Sequence, residues 1–265
     1  MDLQLKGKRA VITGGSRGIG KAVARLLAAE GVDCAICARN EGPLVQSAKD
    51  LAAESGARIF PFVADTSDER SVSNFIEGAA SALGGIDILV NSAARRSGPV
   101  PEDLDHLTPE IMASDFQEKV IGYFLFARAA APYLKANGWG RIVNVGGMAA
   151  RTGGALSAGA RNVAVVNLTK GLALELGPHG VNVNAVHPGR TLTENVRAEL
   201  EERSKREGVS VEELLRQPGA AISVTRPITA DDVAQVIVFL VSPAAFPING
   251  QVIDVSGGLG RSVFY

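Results

Sequence analysis

The stretch RAVITGGSRGIG, residues 9–20, decides the fold. Its first five residues read as a short apolar strand, and the glycine-rich turn that follows opens directly into an amphipathic helix. Glycines at 14, 18 and 20 permit a tight turn and let backbone come close to a pyrophosphate. That group can then rest on the helix N-terminus, where free N–H groups and the helix dipole favour negative charge. A glycine-rich turn alone says little; its place between first strand and first helix gives it meaning.

The same alternation runs along the whole chain. Apolar runs at 9–13, 34–38, 58–64, 86–91, 141–145, 181–186 and 251–255 alternate with helical stretches near 18–30, 41–55, 67–83, 109–137, 159–176 and 230–241. Strands that are apolar at nearly every position belong to a parallel sheet covered on both faces. The expected fold class is therefore α/β, a single doubly wound (Rossmann) domain of seven mostly parallel strands; the order expected for them is 3-2-1-4-5-6-7. Pro61 cannot donate to a ladder and places the third strand at the edge. Gly177-Pro178 reads as a stop for the helix that ends at Leu176. The charged segment 194–217, ENVRAELEERSKREGVSVEELLRQ, reads as one or two exposed helices inserted as a substrate lid.

Composition excludes several functions. The 265 residues carry 27 basic and 28 acidic side chains, a net charge of −1, which disfavours binding to nucleic acid or anionic membrane. No apolar stretch reaches the roughly 18 residues of a membrane span, and the N-terminus has no signal-peptide core. A cytoplasmic protein is expected. Cys34 and Cys37 imitate a CxxC motif, but residues three apart in a strand face opposite sides of a sheet. They read as buried small hydrophobes, and the three histidines show no metal spacing, so no metal site is expected. Thirty glycines, about 11% against an average near ~7%, point to frequent close backbone approach.

The spacing of Gly14, Gly18 and Gly20 resembles that of the short-chain dehydrogenase/reductase family. Further matches follow in the family's order: Asp65-Thr66, NSAA (91–94), PGRTLT (188–193) and NGQVIDVSGG (249–258). The resemblance implies cofactor contacts for Gly14, Ser16, Arg17, Gly18 and Ile19 around the phosphates. It implies Asp65 and Thr66 near the adenine, Asn91 and Ala93 beside the ribose, and Pro188, Gly189, Thr191 and Thr193 near the nicotinamide. Ala94 stands where the family usually has glycine. At the end of the second strand the chain has Ala38-Arg39-Asn40, with no carboxylate to repel a 2′-phosphate and with Arg17 nearby. That pattern predicts NADP(H) over NAD(H). The family also implies a homo-oligomer, tetramer or dimer, built through the long helices 109–137 and 159–176 and the C-terminal strand.

The catalytic residues that the resemblance calls for are missing. Family members usually use Ser, Tyr and Lys in a YxxxK spacing, with an Asn on a preceding helix. A tyrosine of pKa about 10 needs a neighbouring cation before it exchanges protons near neutrality. Counting back from NLTKGLALEL (167–176) places Ala158 and Asn162 at the Tyr and Lys positions. Asn144-Val145-Gly146-Gly147 ends where the Ser belongs, and Lys119 in EKVIGYF takes the place of the Asn. No tyrosine lies between Tyr133 and Tyr265.

Two readings follow. In the first, the protein is an oxidoreductase acting on a small carbonyl or alcohol substrate, with its proton relay moved to Lys119, Ser157 and Asn162, with Tyr123 and Arg161 nearby. In the second, it is an NADP(H)-binding pseudoenzyme, a sensor or assembly partner. Arg95, Arg96, Arg151 and Arg190 follow strand ends and suggest a basic mouth for an anionic substrate. His187 reads as a polar wall or a proton relay.

Overall fold

Seven strands assemble because each apolar run can bury both of its faces only in the middle of a layered structure. The structure, a computed structural model, describes residues 2–93, 103–216 and 222–260. Strands β1 (Arg9–Thr13), β2 (Asp33–Ala38), β3 (Ile59–Val63), β4 (Ile88–Asn91), β5 (Gly140–Val145), β6 (Val181–Pro188) and β9 (Val252–Val255) form one sheet. Its order is β3-β2-β1-β4-β5-β6-β9, every pairing parallel, as the sequence predicts. Pro61 lies on β3, the edge strand, which pairs only with β2. The numbering differs by two because β7 (Thr191–Leu192) and β8 (Ile228–Thr229) form a separate parallel pair. Two-residue strands leave no periodicity to read.

Residue parity sends each strand's side chains to two cores. Ala10, Ile12, Cys34 and Ile36 pack with α1 (Gly18–Ala29), α2 (Glu41–Ser55) and α9 (Ala230–Leu240) through Val23, Leu27, Leu44 and Ile237. Val11, Ala35, Cys37 and Leu89 pack on the opposite face with α3 (Glu69–Leu83) through Phe75 and Ile76. The two cysteines thus lie on opposite faces of the sheet, both free and buried. Burial pushes both thiols up, Cys37 to about 12.

Two helix boundaries differ from expectation, each for a physical reason. The helix expected over 109–137 is α4 (Pro109–Phe116), a π-turn (Gln117–Ile121) and α5 (Gly122–Ala136), so an extra residue is accommodated in the middle. Helix α6 (Leu156–Leu176) starts three residues early. It does not stop at a left-handed Gly177, whose φ is −53°, but runs through a 3₁₀ turn to Gly180 at φ 78°. A Cβ on Gly180 would sit 2.1 Å from the Gly138 carbonyl oxygen, so sterics place the glycine there. Residues 194–216 form two helices, α7 (Glu194–Glu207) and α8 (Val211–Arg216), with Val196, Leu200 and Leu214 making a small apolar cluster of their own.

Candidate functional site

The C-terminal ends of the strands carry the site. Gly14 has φ 72°, and a Cβ there would meet the Ala93 backbone at 3.1 Å; one on Gly20 would lie 2.4 Å from the Gly14 carbonyl oxygen. The turn therefore folds back on α1 with no room for side chains. Thr13 Oγ1 accepts from the N–H groups of Ser92 (2.9 Å) and Ala93 (2.8 Å), tying the end of β1 to the end of β4. One groove collects Gly14, Ser16, Arg17, Arg39, Asp65, Thr66 and Ala93, seven of the fourteen residues expected to hold a cofactor. Arg17 and Arg39 are exposed, and neither has an ion-pair partner among the described residues.

The other expected residues lie around this groove in different roles. Asn91 is buried, and its Nδ2 donates to Asn144 Oδ1 at 2.9 Å, while its own Oδ1 has no partner. Ile19 packs on the core beneath the turn. Gly18 and Thr193 line a second groove between α1 and α7. The Gly18 N–H, at the start of α1, donates to Glu194 Oε2 at 2.9 Å, a contact with no signal in the sequence. Pro188 ends β6, and Gly189 donates to the Val255 carbonyl at 3.1 Å. Thr191 Oγ1 donates to the Gly189 carbonyl at 3.1 Å, and Thr193 Oγ1 caps α7 by accepting from the Val196 N–H.

Beyond the groove, the π-turn aims Lys119 inward. Only 4% of Lys119 is exposed, and its Nζ donates to the Gly146 carbonyl at 3.0 Å. Burial, followed by the positive charge of Arg161, pushes its ammonium down to about 7, with Asp115 opposing. Lys119 makes no salt bridge among the described residues. Tyr123 Oη donates to the Val145 carbonyl at 2.9 Å, and burial pushes its phenol up.

The two glycines after β5 are required by their neighbours. A Cβ on Gly146 would lie 2.3 Å from His187 Nδ1, and one on Gly147 would lie 3.1 Å from Asn162 Nδ2. His187 is fully buried, and its Nδ1 accepts from the Gly147 N–H at 3.0 Å, which puts the neutral ring's proton on Nε2. Burial first, then the cations Arg151 and Lys119, hold its pKa at about 4. Asn162 Nδ2 donates to the Ala158 carbonyl at 2.9 Å, and its buried Oδ1 has no partner. Ser157 is fully buried, and its Oγ donates to Asp115 Oδ2 at 2.7 Å, the other oxygen of that carboxylate accepting from Arg161. Asp115 was not visible as a site residue; only its spacing of four from Lys119 hints at a shared face.

Of the four arginines expected at a basic mouth, Arg151 and Arg190 lie among the described residues. Arg151 is ion-paired with Asp254 at 3.0 Å, so its charge is already engaged. Arg190 is exposed, and Arg95 and Arg96 lie outside the described residues, as do Ala94 and Tyr265. Among the described residues no group of three His, Cys, Asp or Glu side chains can hold a metal, and no helix is long and apolar enough to cross a membrane.

A family model described as enoyl-(acyl carrier protein) reductase matches residues 14–260. The chain belongs to the short-chain dehydrogenase/reductase family. A putative ketoacyl reductase of the monensin polyketide synthase from Streptomyces virginiae is 35% identical, covering 95% of this chain and 97% of that one. L-sorbose reductase from Gluconobacter frateurii, solved with NADPH and L-sorbose, superposes with a TM-score of 0.92 at 28% identity, covering 99% of this chain and 100% of that one. An NADPH-bound short chain oxidoreductase from Pseudomonas aeruginosa, described as containing an atypical catalytic center, gives 0.87 at 32% identity, covering 97% and 98%. As a short-chain dehydrogenase/reductase, the protein is an oxidoreductase, and its glycine turn, groove and sheet order are those that a dinucleotide site requires.

Proposed function

We propose that this protein is an NADP(H)-dependent oxidoreductase that interconverts a small carbonyl compound and its alcohol, with Lys119 replacing the usual Ser, Tyr, Lys and Asn as proton donor. The observation that carries this reading is the amine of Lys119, buried at the Gly146-Gly147 turn and held at a pKa of about 7. The nicotinamide supplies the hydride. The chain's own part is to hold a proton at Lys119 Nζ, pass it to the substrate oxygen and exclude water, and a donor that titrates near neutrality does this best. Ser157 and Asn162 act from the helix that carries YxxxK in relatives, Ser157 through Asp115 and Asn162 as a polar wall beside Gly147.

The cofactor groove fits NADP(H). Two uncompensated arginines face it, and the end of β2 carries no carboxylate to repel a 2′-phosphate. Arg151, paired with Asp254, lends an anionic substrate no support. We read segment 194–217 as a lid over the substrate space. The test is NADPH absorbance followed against a broad panel of aldehydes, ketones and alcohols. Turnover that is stereospecific and NADPH-dependent is expected; tight NADPH binding with no turnover on any member would establish the sensor reading instead.

The same reading includes self-association. Phe124 on α5 and Val163 and Leu174 on α6 are 39%, 52% and 68% exposed, apolar surface on the two helices expected to build an oligomer. A second copy covers them. Sedimentation equilibrium should report a dimer or tetramer, and a monomer at micromolar concentration would remove this part of the proposal.

A further inference from the structure

Asp115 and Arg161 form a buried charged pair to which the proposed proton transfer gives no electrostatic part. Asp115 sits at the end of α4, 9% exposed, and Arg161 lies one turn after Ser157 on α6. The carboxylate is held on both oxygens, by Ser157 Oγ and by the Arg161 guanidinium, whose Nε is buried with no partner. A desolvated ion pair is a poor way to join two helices, because the cost of stripping water from both charges offsets their attraction. An apolar contact between α4 and α6 would serve packing as well. Lys119, however, follows Asp115 by four residues along the same run of helix, which puts the two side chains on one face, and the charges of both Asp115 and Arg161 act on its buried amine.

We propose that Asp115 and Arg161 are positioning residues that set how readily Lys119 holds a proton, with Ser157 orienting the carboxylate. This rests on the reading of Lys119 as proton donor. Among the described residues, every other group near the amine is neutral or engaged elsewhere. From α5, the Tyr123 hydroxyl donates a hydrogen bond to the Val145 carbonyl, and from its own turn Glu118 lies on the cofactor groove. From α6, Asn162 brings only an amide, and from the end of β5 the Gly146 carbonyl accepts the Nζ proton. From β6, His187 is held neutral at physiological pH, and behind it Arg151 is paired with Asp254. The charges acting on Lys119 are thus the repelling Arg161 and the attracting Asp115.

The signs differ, which makes the proposal testable. Asp115→Asn leaves Arg161 uncompensated and should lower the pKa of Lys119, whereas Arg161→Met leaves the carboxylate alone and should raise it. A charge at this range moves a pKa by about one unit or more. The measurement is an NMR titration of side-chain-labelled lysine in the cofactor-free protein, the Lys119 signal being identified by its loss in Lys119→Met. Opposite shifts in the two variants are expected, with Asp115→Glu near the parent value and the Asp115→Asn, Arg161→Met double variant between the two singles. Shifts in the same direction, or none, in variants that keep the parent circular dichroism would overturn it. Should Asp115→Asn not fold, Arg161→Met alone decides, and an unshifted or lowered Lys119 rejects the idea. Because no turnover is read, opposite shifts in an inert protein would keep this inference and sink the proton-donor reading, while turnover lost in Lys119→Met alongside unshifted variants would do the reverse.

Discussion

Replacing Lys119 by methionine should lower NADPH-dependent turnover by at least about 100-fold, the usual contribution of a positioned general acid, while NADPH binding stays within about twofold. Methionine keeps most of the stem's volume and removes the proton. The pH profile of the parent enzyme should carry the same residue's mark. Reduction needs the protonated amine, so kcat/KM for the carbonyl should fall as pH rises through about 7, and alcohol oxidation, which needs the free amine, should rise over the same range. Stability gives an independent check with a fixed sign. The folded-state pKa lies below the ordinary value, so between about 7 and 10.5 the unfolded chain holds a proton that the folded chain does not. Stability due to this group must therefore climb with pH across that window, by an amount on the order of a few kcal/mol, and be absent from Lys119→Met. The variant should be no less stable than the parent at pH 7. A variant that loses activity only because it unfolds would show the opposite in chemical denaturation, and unchanged turnover in a folded Lys119→Met would reject the mechanism.

Replacing Arg39 by aspartate should weaken NADPH binding by about 100-fold and change NADH binding little or in the favourable direction. Arg39 follows β2, exposed on the groove it shares with Arg17. Charge-assisted hydrogen bonds are worth about 1.5–3 kcal/mol each, and an introduced carboxylate adds repulsion toward a phosphate while it can accept from a ribose hydroxyl. Fluorescence titrations with both cofactors in one buffer decide the matter. Salt should weaken the parent's NADPH affinity more than the variant's, since an exposed ionic contact is screened. Equal weakening of both cofactors would show that Arg39 supports the groove without reading the phosphate.

Local patterns carried most of the fold. An apolar run flanked by turn residues needs burial on both faces, and a proline without an N–H must sit at an edge, so the parallel sheet and the place of Pro61 could be read directly. The cofactor groove was legible because glycine acts through its own backbone: Gly14 and Gly20 are where they are for want of a Cβ. The catalytic side was legible only as a gap. Gly146 and Gly147 look like a lost serine in the sequence, whereas in the fold they make room for His187 and Asn162, which arrive from β6 and α6.

By itself, then, the sequence determined the sheet, the phosphate turn, and the choice between acidic and basic residues after β2. These depend on residues close in the chain. Only the tertiary structure decided that Lys119 is buried on the Gly146 carbonyl, that Ser157 is bound to Asp115, that Arg151 is spent on Asp254, and that Glu194 reaches the Gly18 N–H. Each of those facts joins residues distant in sequence or turns on burial. A proton's free energy on an amine is set by the water removed and the charges brought near, and both come from chain packing.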